Sequence, residues 1–275
     1  MEKNELLDLL WEKYVALTPS AELISQLFEQ RGEKVKNDHI ALRTFDDKRV
    51  DIDVISIPFL KMGYVKKGEY AFKEKKLFAQ HYEHQADSSA PKIFISQLLL
   101  GQCSIDLQRI VSGVLDQVSH SELHPDSLML KGRLWDISMK EYDVLLKESE
   151  YASWMYIFGF CANHFTVLVN ELKTLNSLEE VNFLLKNNGF NLNDAGGEIK
   201  GSPEDYLEQS STIADQIQIS FGVNSKKIPS CYYEFARRYQ LPDGSLYQGF
   251  IAASADKIFE STNVSLVDKI LSKSK

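Results

Sequence analysis

Three residue types that seldom share an apolar strand stand together in "NDHIALRTF", residues 37–45: an acid, a histidine and an arginine. A buried strand favours aliphatic side chains, so His39 and Arg43 are candidates for chemistry. The stretch "NHFTVLVN" opens the same way, with a short polar residue and then a histidine, His164, at the head of an apolar run. A helix-like segment follows each, and each ends in glycine plus an aromatic, Gly63-Tyr64 and Gly189-Phe190. The interval from histidine to glycine is about 24 positions in one copy and about 25 in the other, which reads as an internal repeat.

Alternate side chains of a strand share a face, so His39, Ala41, Arg43 and Phe45 look one way, as do His164, Thr166, Leu168 and Asn170. A single histidine there is most often a satisfied core residue. Two at equivalent positions can meet inside a shared concave sheet, and a metal explains both. Two imidazoles and a carboxylate form the facial triad that leaves three positions open on non-haem Fe(II). Glu234, in the middle of the aromatic strand "SCYYEFARRY", is the best third ligand, because a glutamate there must be paired or ligating. Its competing role is an ion pair with Arg237 or Arg238. Asp38 is a candidate partner for His39, but alternation points it away from the site. Tyr232 shares Glu234's face, either lining the site or serving as an ordinary core aromatic. His81 and His84 in "HYEH" have helical spacing in a charged region, and His120 and His124 in "HSELH" lie in a helix–loop connection. All four are expected at the surface.

These residues need elements to carry them. Residues 4–17 and 19–30 read as helices, with Thr18 capping the second and Pro19 in its first turn. Strand patterns cover 39–45, 91–100, 163–172 and "SCYYEFARRY", with weak alternation in "EYAFKEKKLFAQHYEH". A helix spans roughly 104–119, and capping boxes at Ser138/Glu141 and Ser177/Glu180 open two more. "NLNDAGGEIKGSPED" and the tract around "FGVNSKKIPS" are loop-like, "LPDGSLYQGF" is a turn between strands, and "SADKIFEST" is a short capped helix. The fold class is α+β. The expected organisation is one domain over residues 1–275, with N-terminal helices to 32, a first module over 37–100, a helical connection over 101–150, and a second module over 160–262 that completes the site.

Bulk composition narrows the partners. The chain of 275 residues is 44% hydrophobic and 25% charged, the balance of a globular protein. A net charge of −8 with scattered basic residues argues against nucleic acid. Three widely spaced cysteines suggest reduced thiols and a cytoplasmic location. The apolar run near "WMYIFGFCA" is too short to cross a bilayer, so no membrane partner is expected.

"DHIALRTF", "NHFTVLVN", "YYEFARR" and "GFIAASADKIFEST" together resemble the 2-oxoadipate dioxygenase/decarboxylase family, over about residues 30–262. The metal site of that family looks like those of vicinal-oxygen-chelate enzymes, including the hydroxymandelate synthase type. The resemblance implies two β-α-β-type modules forming a partly open β-barrel with added helices. It implies one divalent metal per chain, Fe(II), with zinc or another divalent ion able to stand in. His39, His164 and Glu234 match the ligands, and Arg43 matches the arginine that grips substrate. Arg43 lies about 13 Å from His39 along the strand, a gap its long side chain shortens; its competing role is an internal salt bridge. The implied reaction takes a 2-oxo diacid such as 2-oxoadipate and dioxygen to 2-hydroxyglutarate and carbon dioxide. The chain is shorter than the long members of the family. Two other readings keep the same site: a metal-dependent hydrolase or isomerase, and a non-catalytic protein that binds a small acid.

Overall fold

Helices α1 (Lys3–Leu17) and α2 (Pro19–Gln30) lead into β1 (Asn37–Phe45), α3 (Ile52–Lys61), β2 (Tyr64–Phe72), β3 (Leu77–His84) and β4 (Lys92–Leu98). Four helices follow: α4 (Ile105–Leu115), α5 (Pro125–Leu128), α6 (Met139–Glu148) and α7 (Glu150–Phe158). The remainder is β5 (Ala162–Leu168), α8 (Leu178–Asn187), β6 (Lys200–Ser202), β7 (Leu207–Ser211), β8 (Gln216–Phe221), β9 (Asn224–Pro229), β10 (Tyr232–Arg238), α9 (Ala252–Ile258) and α10 (Val264–Lys273). The structure is a computed structural model that describes residues 2–273.

Two compact units arise from discontinuous stretches. The first comprises Met1–Tyr14, Ile40–Asn163 and Ile217–Ile228; the second comprises Val15–His39, His164–Gln216 and Pro229–Lys275. Each follows one plan. In the first, the chain runs β1, α3, β2, β3, β4 and the strands lie in the order β2-β3-β4-β1. In the second, β5, α8, β6, β7 and β10 lie in the order β6-β7-β10-β5. The echo between the two histidine strands is therefore an echo of topology, and the α+β class is as expected.

Local chemistry shapes the matching helices. The Asp51 carboxylate caps α3 by accepting from Val54 N at 3.2 Å, and Gly63 follows the helix at φ +93°. Ser177 Oγ caps α8 through Glu180 N at 3.2 Å, and Gly189 follows at φ +83°. The box at α8 is displaced by one residue, since the Glu180 carboxylate accepts from Asn176 N at 2.6 Å. At α6 the Ser138 cap accepts from Glu141 N, but Ser138 N donates to the Tyr156 hydroxyl at 2.7 Å. Thr18 stands at the N-cap of α2 without a side-chain bond, so proline at N1 supplies that start alone.

Two expectations are corrected. "HYEH" lies in strand β3 and is not at the surface as expected: His81 is buried between the Tyr70 hydroxyl (2.9 Å) and Glu83 Oε1 (3.1 Å), and His84 is half-buried. His120 and His124 are exposed, as expected. The tract "FGVNSKKIPS" is the β8–β9 hairpin, turning at Gly222 with φ +79°. The apolar run around "WMYIF" is core helix α7, buried at every side chain from Tyr151 to Phe158. No helix among the described residues is long and apolar enough to cross a membrane, and the three cysteines are buried without a disulfide.

Candidate metal centre

β10 is flanked on both edges, which is why its middle residue is removed from water. It pairs parallel with β5, setting Tyr232 opposite His164 and Glu234 opposite Thr166. It pairs antiparallel with β7, setting Glu234 opposite Ser211 and Ala236 opposite Gln209. Leu168 N donates to Lys36 O at 2.9 Å, which lays the start of β1 beside the end of β5. Behind the site, Phe28 of α2 meets Phe235 edge-on at 6.1 Å.

One ligand atom from each of His39, His164 and Glu234 lies within 4.8 Å of the others, and all three residues are buried. The imidazole Nε2 atoms are 3.3 Å apart. His164 Nε2 is 3.1 Å from Glu234 Oε2, and His39 Nε2 is 3.7 Å from Oε1. Each donor has a neighbour that orients it. Gln209 Nε2 donates to Glu234 Oε1 at 2.6 Å. Thr166 Oγ1 is 3.1 Å from His39 Nε2. The Tyr232 ring stacks on His164 at 4.6 Å and 28°, and Phe250 meets His39 edge-on at 4.8 Å.

Asp38 does not point away. Its Oδ1 accepts from His39 Nδ1 at 2.8 Å, because a short carboxylate can curl toward its neighbour's ring although alternation sends the two Cβ atoms to opposite faces. Arg238 pairs with Asp38 through Nε–Oδ2 at 2.5 Å and Nη2–Oδ1 at 2.8 Å, so its fork is engaged there rather than by Glu234. Thr166 was legible as a residue on His164's face and Phe250 as part of "GFIAASADKIFEST", but Gln209 carried no sequence signal, since nothing local to it announces which strands become neighbours.

The electrostatics favour a cation. Burial pushes the Glu234 carboxyl up to about 8, with the Asp38 charge adding to that; the Gln209 hydrogen bond and the charges of Arg238 and Lys200 offset part of it. Burial likewise pushes the Lys200 amine down to about 8. When His39 donates an Nδ1 proton to Asp38, its Nε2 offers a lone pair. Two imidazole nitrogens and a carboxylate that ionises only against its burial fit a divalent ion, which would return the charge that burial removes.

Arg43 belongs to the first unit. It is 3% exposed, with its guanidinium carbon 5.0 Å from the Tyr151 ring centroid and 4.7 Å from that of Trp154. The Tyr151 hydroxyl is itself held by Thr44 N at 3.0 Å and by Ser96 O at 2.8 Å.

Comparison with known proteins bears on identity. A model of the family described as 2-oxoadipate dioxygenase/decarboxylase matches residues 3–246. The chloroplastic 2-oxoadipate dioxygenase/decarboxylase of Arabidopsis thaliana is 36% identical over 251 residues, covering 82% of this chain and 67% of its own. Hydroxyglutarate synthase from Oryza sativa, solved in complex with 2-oxoadipate, superposes with a TM-score of 0.89 at 30% identity, covering 96% of this chain and 93% of its own. A Shewanella frigidimarina protein described as a hydrolase superposes at 0.86 with 48% identity, covering 91% and 98%. A match of this breadth in both sequence and backbone exceeds a shared fold: the chain belongs to the 2-oxoadipate dioxygenase/decarboxylase family of enzymes.

Proposed function

We propose that this enzyme is a metal-dependent dioxygenase that converts a 2-oxo diacid such as 2-oxoadipate, with dioxygen, to 2-hydroxyglutarate and carbon dioxide. His39, His164 and Glu234 hold one divalent ion in this reading, and Fe(II) is the ion proposed. The observation that carries it is the convergence of those three buried donors within 4.8 Å. Bound there, Fe(II) would supply Lewis acidity and the redox chemistry with dioxygen. The protein's part is positioning. Asp38 holds His39 with Nε2 directed to the site, and Gln209 fixes one oxygen of Glu234. The rings of Tyr232 and Phe250 pack on the two imidazoles and keep water from them. Arg43 grips a substrate carboxylate with its fork, and the rings of Tyr151 and Trp154 hold the guanidinium flat and in place. A cytoplasmic location belongs to the same proposal, supported by three thiols left reduced.

The test is to load the metal-free protein anaerobically with Fe(II), add 2-oxoadipate, admit air, and follow oxygen uptake together with product mass. The expected result is one carbon dioxide and one 2-hydroxyglutarate for each dioxygen consumed. The description of the Shewanella relative favours a second reading, hydrolysis at the same site. Turnover without oxygen, or no uptake with any 2-oxo acid despite one bound metal, would support that reading or a binding role instead.

A further inference from the structure

Asp38, which holds His39, is itself half of an ion pair whose other member, Arg238, the proposed function leaves without a role. Asp38 and Arg238 are each 2% exposed. Removing both charges from water is costly, so such a pair is a weak source of stability. Its contacts are nevertheless complete. Asp38 Oδ1 accepts from both His39 Nδ1 and Arg238 Nη2, and Oδ2 accepts from Arg238 Nε. Arg238 Nη1 donates to Tyr247 O and Gly249 O, each at 2.9 Å. The backbone of Arg238 is gripped from the other side, with Asn170 Nδ2 donating to its carbonyl at 2.9 Å and Asn170 Oδ1 accepting from its N–H at 2.8 Å. The segment that Arg238 pins also carries Phe250, whose ring lies 5.4 Å from the Arg238 guanidinium carbon and packs on His39.

We infer that Asp38 and Arg238 are a positioning pair that sets the orientation and tautomer of His39 for the metal and ties that setting to the seating of residues 247–250. The inference rests on the metal-site reading above. An imidazole free of such a partner can carry its proton on either nitrogen and turn about its ring bond. Asp38, ionised beside Arg238, can only accept, so it draws the proton to Nδ1 and leaves Nε2 as a ligand. Arg238 keeps that carboxylate charged where water cannot, and the same side chain fastens the strand of chain that walls off the ring.

The test separates positioning from mere packing. Asp38→Asn and Arg238→Gln each strand one buried charge and are expected to lower Tm. The double variant Asp38→Asn/Arg238→Gln removes both charges and is expected to recover part of that loss, the shorter glutamine leaving Tyr247 O and Gly249 O without their donor. Its affinity for Co(II), used as a spectroscopic probe, is expected to stay about 10–100-fold below wild type, with an altered Co(II) absorption spectrum. Wild-type affinity and spectrum in the double variant would reduce the pair to a structural one and overturn the inference. Failure of the wild-type protein to bind Co(II) would instead sink the metal-site reading and the inference with it. Should the double variant not fold, 15N NMR of histidine-labelled, metal-free wild type decides. His39 protonated on Nδ1 supports the pair's role, and protonation on Nε2 overturns it.

Discussion

Glu234 is a carboxylate held where its charge is costly, and that has a measurable consequence. The group is pushed from an ordinary 4.5 up to about 8, chiefly by burial. The folded, metal-free chain therefore keeps a proton there that the unfolded chain releases above about 4.5, and folding loses stability as pH rises from that value toward 8. A cation must displace the same proton. Co(II) affinity should climb by up to about tenfold per pH unit between about pH 6 and 8 and level off above, as titrations across that range would record. Arg43→Ala should leave Co(II) affinity unchanged and raise KM for 2-oxoadipate by roughly 10–100-fold, the worth of charge-assisted hydrogen bonds to one carboxylate. Loss of metal in that variant would mean that Arg43 serves the site differently. At this scale the donor set was legible from side chains too polar for their strands. The direction of Asp38 was not, because alternation governs Cβ atoms and not the ends of short polar chains.

Two glycines with left-side φ values show what elements ask of their ends. Gly189, after α8, has φ +83° and open space where a Cβ would go. Gly159, after α7, has φ +66°, and a Cβ there would meet Gly132 O at 2.3 Å. That contact is enforced by the bridge between Gly132 and Phe160, with N–H···O distances of 2.9 and 3.0 Å, through which the chain turns from α7 into β5. Urea unfolding should report a loss of about 1 kcal/mol for Gly189→Ala and roughly 3 kcal/mol or more for Gly159→Ala. Helices with one wet face, such as α6 and α8, were legible from their caps and periodicity. Helix α7 was not, because a helix buried all round has no apolar stripe to read.

At the scale of the molecule, all three proposed ligands fall in the second unit, His39 at the end of its first stretch and His164 at the start of its next. Saturating metal, at about 100 times Kd, should add about 2.7 kcal/mol to that unit. Hydrogen exchange should show the added protection concentrated in β5, β7 and β10, with β2–β4 little changed. The repeated strand order was foreshadowed by two matched intervals. The placement of the β8–β9 hairpin was not: it arises between β7 and β10, yet Phe221 and Lys226 pack on Tyr142 in the first unit. No local pattern encodes a partner so far along the chain.

The ion pair behind His39 closes across 200 residues of sequence. On the ribosome, at 5–20 residues per second, Asp38 precedes Arg238 by roughly 10–40 s. For all but the last few residues of that interval the nascent chain displays His39, and later His164, without the carboxylate of Glu234, and throughout it without the arginine that pairs with Asp38. A polypeptide released before Arg238 is added thus carries neither the complete donor set nor its support, and the metal chemistry proposed for this centre waits on both.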